Sequence, residues 1–176
     1  MRFSWADSHP LMAKYYDNEW GIPSHDDTYL FEMLVLEGMQ AGLSWLTILK
    51  RREGMRAALD QFDYQKIAKY EVDDFDRLMT SDAMIKNKLK IGSIINNAQK
   101  FIEIQQEFGS FDRYIWSFTD FKPVITYFEE ESLVPADNAL SQQISKDLKK
   151  RGFKFVGPVI IYGFLGAIGI IQDRLH

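Results

Sequence analysis

The chain has 176 residues, of which 46% are hydrophobic and 14% aromatic, and its formal net charge is −4. This composition predicts a packed core rather than disorder, and the length suits one compact domain over residues 1–176. The lack of cysteine excludes disulfides and thiolate metal sites. The acidic balance argues against a protein that coats nucleic acid through bulk positive charge.

Targeting signals are not evident in the sequence. No charged-then-apolar leader opens the chain, and the longest mainly apolar run, residues 156–171, is too short to span a bilayer. We therefore expect a soluble, cytoplasmic protein with no membrane partner. The three histidines do not form a spaced set of metal ligands, so we expect no metal site.

Aromatic residues crowd the N-terminal segment around the polar string Asp17-Asn18-Glu19. They are Trp5, Tyr15, Tyr16 and Trp20. Aromatic faces stack on flat ligands and attract cations, so the cluster is a candidate ligand pocket. The alternative is a small aromatic core beneath an N-terminal arm.

A predicted helix that Asp26 or Asp27 can cap follows this cluster. Glu37 is the only charged residue between Glu32 and Lys50, and its helical neighbours are apolar. Burying a carboxylate costs several kcal/mol, so its position indicates a pocket for a polar, aromatic or cationic ligand. Alternatively Glu37 lies at a rim or pairs with a distant Arg or Lys.

The next predicted helices follow from turn and cap signals. Gly42 is expected to end the Glu37 helix, and Ser44 to cap a helix that begins at Trp45. Residues 63–70 and 72–79 are typical of short helices. Lys86, Lys88 and Lys90 then open a long amphipathic helix, where they predict a solvated face.

The long helix is expected to end at Gly109, after which Ser110 caps a short aromatic helix. Residues 119–136, which contain two prolines, predict a loop. A further helix is predicted over residues 138–151. No long alternating strand pattern is present, so the sequence predicts an all-α fold.

A glycine-bounded hairpin is predicted at residues 151–157, between two helices. Free backbone N–H groups at such a junction can bind a phosphate, and Lys149, Lys150, Arg151 and Lys154 add positive charge. The alternative is an ordinary helical hairpin with a solvated basic face. The last helix is expected to run to about Ile171, with a glycine at every third position for close approach to a neighbouring helix.

Three stretches together resemble the constitutive 3-methyladenine DNA glycosylases. They are Tyr-Tyr-Asp-Asn-Glu-Trp-Gly at 15–21, Leu-Glu-Gly-Met-Gln-Ala-Gly-Leu-Ser-Trp at 36–45 and Lys-Lys-Arg-Gly-Phe-Lys-Phe-Val-Gly at 149–157. The similarity is collinear over nearly the whole chain. It implies a helix-hairpin-helix fold of two helical lobes with a base pocket between them. It also implies monofunctional excision of 3-methyladenine from double-stranded alkylated DNA by a monomer that flips the base out.

The resemblance also implies residue roles. Tyr15 and Trp45 would stack on the flipped base, Trp5 and Trp20 would line the pocket, and Glu37 would bind the base edge as the candidate catalytic residue. The residues implied to contact DNA are Leu43, which would fill the gap in the base stack, and Gly152, Phe153, Lys154 and Gly157 of the hairpin. Asp173 is a weaker alternative carboxylate.

Two departures from the family are visible. Members often hold a structural zinc near both chain ends, but here Phe3, Tyr16 and Arg174 occupy ligand positions, so we expect no zinc and no other cofactor. Met12 stands where the family tends to have tyrosine. These departures keep open a rival hypothesis, a non-catalytic DNA-binding protein that senses damage with the same fold.

Overall fold

The computed structural model describes residues 1–176, which fold into nine α-helices and one pair of strands. The helices are α1 (Pro10–Asn18), α2 (Asp27–Met39), α3 (Trp45–Ala58), α4 (Tyr64–Ile67), α5 (Val72–Thr80), α6 (Lys88–Phe108), α7 (Phe111–Ser117), α8 (Ala139–Lys150) and α9 (Pro158–Ala167). The strands are β1 (Val124–Phe128) and β2 (Ile171–Leu175), and short 3₁₀ turns lie at Ser4–Asp7, Asp60–Phe62 and Glu131–Leu133.

Local capping signals place the starts of several helices. Asp26 accepts a hydrogen bond from the Tyr29 amide at 3.2 Å, and Ser44 accepts one from the Thr47 amide at 3.1 Å. Ser110 and Asn138 cap α7 and α8 in the same way. Each cap satisfies an amide that the first helical turn leaves free. The helix starts predicted at Ser44 and Ser110 are therefore confirmed.

Helix α2 lies at the centre of the core. Its residues from Leu30 to Met39 are all buried, including Glu32 and Glu37, and it packs against α3, α6, α7 and α9. A helix buried on every side has no solvated face on which to place a charge. The two glutamates in α2 therefore need a structural or functional reason.

The predicted loop over residues 119–136 and the predicted extension of the last helix to Ile171 are both wrong. Helix α9 ends at Ala167, and β2 pairs in parallel with β1, with Val124 opposite Ile171. Most side chains of β1 are exposed, so no alternation of apolar and polar residues marked the strand. Its partner lies far along the chain, and strand formation depends on that pairing. The fold remains mainly helical, as predicted.

The three glycines of the last segment allow close approach by α2, as predicted for a neighbouring helix, and also by the segment that follows α1. Gly163 faces the Glu37 side chain, Gly166 faces the Trp20 indole, and Gly169 faces the backbone of Ile22 and Pro23. Two hydrogen bonds to carbonyls in the α9 region, from the Gly21 and Ser24 amides, hold the segment after α1 against the end of α9. No helix in the fold is both long enough and apolar enough to cross a membrane.

We expect Gly169→Ala to lower the free energy of unfolding by more than about 2 kcal/mol in denaturant titrations. Gly169 has φ +82°, and a Cβ there would lie 2.3 Å from the carbonyl carbon of Ile22, where only backbone can move aside. Gly157→Ala is the control, because φ is −61° and a Cβ there would meet nothing within 4 Å. Equal stability of the two variants would contradict this account.

Candidate active site

A cavity of about 290 Å³ lies where the N-terminal 3₁₀ turn, α1, α2, the start of α3, and α9 meet. The residues that line it are Trp5, Met12, Tyr15, Trp20, Glu37, Gln40, Trp45 and Gly163. The four aromatic residues implied to bind a base and the candidate catalytic glutamate are therefore brought together. Gln40 and Gly163 also line it, and no local sequence signal gave either of them a role in a pocket.

Glu37 is buried at the wall of this cavity without a partner. The residue is only 5% exposed, and burial alone raises its pKa to about 8. No hydrogen bond or ion pair compensates the carboxyl group, so the alternatives of a rim position and a distant ion pair do not hold. A buried, unpaired carboxyl beside an aromatic cavity is a group available to a ligand.

The position of Glu37 depends on a glycine across the cavity. A Cβ on residue 163 would lie 2.7 Å from Glu37 Oε2, closer than carbon and oxygen can approach. A Cβ on residue 166 would lie 3.1 Å from Nε1 of Trp20. The two glycines of α9 therefore leave room for the Glu37 carboxyl and the Trp20 indole in the positions that they occupy.

The aromatic rings of the cavity pack against one another mostly at tilted or edge-on angles. The Tyr15 and Trp45 ring centroids are 5.3 Å apart at an interplanar angle of 58°, and Trp5 meets Trp20 edge-on at 5.2 Å. The two interpretations of the N-terminal cluster, a ligand pocket and a small aromatic core, therefore both hold in part. The rings pack on one another, and they also line the cavity. Edge-on contacts fix the relative orientations of the rings.

A buried ion-pair network supports the aromatic wall from behind. Arg52 donates two hydrogen bonds of 2.8 Å to Glu19 and one of 2.5 Å to Glu32 in α2. Glu19 immediately precedes Trp20, and the amides of both residues donate to the Tyr15 carbonyl. The guanidinium therefore fixes the end of α1, which carries Tyr15, and the following turn, which carries Trp20, against α2 and α3.

The turn between α2 and α3 exposes an apolar side chain that lies between two lining residues of the cavity in sequence but does not line it. Leu43 is 39% exposed, and its amide donates to the Gln40 carbonyl at 2.6 Å. Gly42 has φ +80°, the left-handed conformation that glycine tolerates best. The turn thus connects Gln40 in the cavity wall to Trp45 and presents Leu43 to solvent between them.

The predicted hairpin between α8 and α9 is held by side chains of neighbouring helices. Asn97 in α6 donates to the Lys154 carbonyl at 2.9 Å and accepts from the Lys154 amide at 2.9 Å. Ser145 donates to the Val156 carbonyl at 2.6 Å. A Cβ on Gly38, the residue after Glu37, would lie 3.4 Å from Cβ of Phe155. The hairpin therefore packs directly on the helix that carries Glu37.

Residues of the hairpin differ in what they can offer a ligand. Lys154 is exposed, whereas Phe153 is buried and presents its side chain to the core. Arg151 forms ion pairs with Glu107 at 2.5 Å and with Asp147 at 2.9 Å, which neutralise part of the predicted basic cluster. Phosphate binding here would therefore depend on backbone amides and on the exposed lysines.

Residues at the family's zinc positions pack or point elsewhere. Phe3 is buried, with its ring 5.2 Å from Trp20 and 6.4 Å from Tyr16. Arg174 donates to the Tyr127 hydroxyl at 3.3 Å. No group of three or more histidine, cysteine or acidic side chains is arranged to hold a metal. Aromatic packing thus ties the N-terminal arm to the body of the protein.

Asp173, the alternative carboxylate, lies outside the aromatic cavity. Its Oδ2 accepts a hydrogen bond from the Tyr162 hydroxyl at 2.5 Å, and burial raises the pKa of the acid. It lines a separate cavity between β2 and the N-terminal arm. Unlike Glu37, it already has a protein partner.

Comparisons with known proteins agree with this geometry. A family model described as methyladenine glycosylase matches residues 5–176. The chain belongs to the methyladenine glycosylase family. It is 43% identical to DNA-3-methyladenine glycosylase 1 of Escherichia coli (strain K12), over 99% of this chain and 93% of that protein.

Solved structures of this family superimpose closely. The crystal structure of a 3-methyladenine DNA glycosylase I matches with a TM-score of 0.95 and 43% identity, covering 99% of this chain and 96% of the other. A variant of 3-methyladenine DNA glycosylase I in complex with 3-methyladenine matches with a TM-score of 0.94 and 38% identity, covering 98% and 92%. The fold described above is therefore that of the family.

We expect Glu37→Gln to stabilise the free protein relative to wild type as the pH rises from 4.5 towards 8. The folded state holds the Glu37 proton more tightly than the unfolded chain does. Wild type therefore loses on the order of a few kcal/mol over this range, and the amide variant does not.

Denaturant titrations across that pH range measure the difference. Glu103→Gln, at an exposed glutamate of α6, is the matched control and should follow wild type. A constant stability difference between wild type and Glu37→Gln at all pH values would contradict the buried, unpaired state of Glu37.

Proposed function

We propose that this chain is a monofunctional DNA-3-methyladenine glycosylase that uses Glu37 to select an alkylated purine. The observation that carries the proposal is the unpartnered Glu37 carboxyl in the wall of an aromatic cavity of about 290 Å³. The relatives named above are described as 3-methyladenine glycosylases, and one of them holds 3-methyladenine. A fully stacked base cannot reach such a cavity, so the nucleotide would leave the duplex first.

Charge explains the preference for a methylated base. Methylation at N3 leaves the adenine of DNA positively charged, whereas an undamaged adenine is neutral. An opposite charge within a few ångströms favours ionised Glu37, so binding of the cationic base would release the Glu37 proton to solvent. A neutral adenine offers no such compensation for a buried carboxylate. The aromatic rings, led by Tyr15 and Trp45, add stacking and attraction to the cation.

The reaction then needs little chemical activation. Water adds its oxygen to C1′ of the sugar, and the bond between C1′ and N9 breaks with its electron pair passing to the base. The positively charged base departs neutral, and the water gives up one proton. In this mechanism ionised Glu37 binds the base edge and stabilises the positive charge that forms near the sugar. No Schiff-base lysine is involved, so the product is an abasic site.

The DNA itself would be held from both sides of the cavity. Leu43 is exposed in the turn that joins the lining residues Gln40 and Trp45, and it can fill the space that the flipped nucleotide leaves. The hairpin amides that donate to no protein acceptor, those of Phe155, Val156 and Gly157, and the exposed Lys154 can bind phosphates without reading sequence. One copy of the chain carries all of these elements, so we propose that it acts as a monomer on double-stranded DNA.

Release of free 3-methyladenine from alkylated duplex DNA is the direct test. We expect the wild-type protein to release it at substoichiometric enzyme concentrations, detected by chromatography of the ethanol-soluble products. Binding to abasic duplex DNA without any release would instead identify the chain as a damage-sensing protein.

Glu37→Gln should lower excision roughly 10- to 100-fold, because a hydrogen bond to a charged group contributes about 1.5–3 kcal/mol. The wild-type kcat/KM should rise with pH as Glu37 ionises near its pKa of about 8, and the variant should lose this dependence. Asp173→Asn is the matched control, since Asp173 lies outside the cavity. Normal activity of Glu37→Gln would remove Glu37 from the mechanism.

Asn97→Ala should separate DNA binding from base binding. Loss of its two hydrogen bonds to Lys154 frees the hairpin, so we expect roughly tenfold weaker binding to abasic duplex DNA, with a smaller salt dependence. Affinity for free 3-methyladenine, measured by tryptophan fluorescence, should stay within about twofold of wild type, because the cavity is intact. Gln99→Ala, exposed on the same helix, should change neither. Equal DNA affinity of the two variants would rule out the phosphate-binding hairpin.

A further inference from the structure

Lys90 departs from the solvated face that the lysine pattern at the start of α6 predicted. Lys86 and Lys88 are exposed, but Lys90 is only 6% exposed. Lysine is almost never fully buried without partners, because its ammonium group is strongly hydrated in water. The expectation of a solvated face is therefore wrong at this one position, and the reason lies in a contact with a distant part of the chain.

The Lys90 ammonium group binds the end of the helix that carries Glu37. Its Nζ donates to the Met39 carbonyl at 2.9 Å and to the Ala41 carbonyl at 2.6 Å. The last carbonyls of a helix have no partner within the helix and carry partial negative charge. Lys90 satisfies one such group, the Met39 carbonyl at the end of α2, and also binds the Ala41 carbonyl in the turn that follows.

These two carbonyls bracket the start of an unusual turn. Gln40, between them, lines the aromatic cavity. Gly42 follows in the left-handed conformation, and Leu43 then projects into solvent before Ser44 caps α3. Within the turn itself, the hydrogen bond from the Leu43 amide to the Gln40 carbonyl is the main local restraint. The ammonium group adds a contact that ties this turn to α6.

We propose that Lys90 is a positioning residue that holds the turn from Gln40 to Leu43 in the shape with which Leu43 enters the DNA base stack. This inference rests on the proposed glycosylase function. The base pairs on either side of a flipped nucleotide tend to stack on each other again and push out the side chain between them. Leu43 can hold the gap open only if the backbone of its turn does not move. Two hydrogen bonds from a charged donor, one to the last residue of α2 and one to Ala41 within the turn, supply that resistance.

Lys90 is not placed to act as a nucleophile. It does not line the aromatic cavity, and its Nζ is bound to two carbonyls. Burial lowers its pKa, but the amine is bound to carbonyls outside the cavity that would receive the base. Its role is therefore mechanical, exerted through Leu43.

The first experiment compares Lys90→Met with Lys88→Met, its exposed neighbour on α6. We expect Lys90→Met to lower single-turnover excision of 3-methyladenine from duplex DNA at least tenfold. Its affinity for free 3-methyladenine should stay within threefold of wild type, since Glu37 and the rings remain in place. Lys88→Met should match wild type in both measurements. Equal excision by the two variants would overturn the proposal, whereas absence of excision by wild type would overturn the proposed function instead.

The second experiment separates a mechanical role from general destabilisation. Leu43→Ala and the double variant Lys90→Met/Leu43→Ala are assayed in the same way. If Lys90 acts through Leu43, the double variant should be no more than twofold slower than Leu43→Ala alone. Losses that multiply would overturn the proposal.

A conservative variant keeps the test available if Lys90→Met does not fold. The glutamine side chain of Lys90→Gln is shorter than lysine, so its amide can reach at most one of the Met39 and Ala41 carbonyls. We expect an intermediate loss of duplex excision and unchanged affinity for the free base. Wild-type excision by a folded Lys90→Gln protein would overturn the proposal.

Discussion

An ionisable group buried without a partner is the feature on which the rest of this structure depends. Glu37 is surrounded by apolar core and aromatic rings, and burial alone raises its pKa to about 8. A buried carboxyl group without a partner lowers the stability of the fold, because it loses its hydration and gains no hydrogen bond or ion pair in exchange. A hydrophobic side chain at this position would avoid that cost. The cost is consistent with a site whose missing partner is a ligand that carries positive charge.

The two buried glutamates of α2 differ in their partners. Both glutamates are buried in α2, but Arg52 donates to Glu32 at 2.5 Å and also fixes Glu19 beside Trp20. The paired acid therefore builds the wall of the cavity, and the unpaired acid remains available within it. Gly163 completes the arrangement, because any side chain there would occupy the space of the Glu37 carboxyl.

Helix α6 supports both surfaces that we propose to contact DNA. Asn97 holds the backbone of the hairpin, and Lys90 holds the turn that exposes Leu43. Gly38 meanwhile lets the hairpin pack on α2 next to Glu37. One helix thus sets the spacing between the proposed phosphate-binding element and the proposed stack-filling side chain. A fixed spacing of this kind lets binding energy from the backbone be used to hold a flipped nucleotide.

Local chemistry in the sequence determined where α3 and α7 begin, because Ser44 and Ser110 cap amides only a few residues away. The family resemblance, carried by three stretches, indicated the aromatic residues and Glu37 before their geometry was known. Only the tertiary structure decided that Lys90 is buried, that β1 pairs with β2, and that Gln40 and Gly163 line the cavity. Each of these depends on a contact between segments far apart in the chain, and periodicity or spacing within one segment carries no information about it.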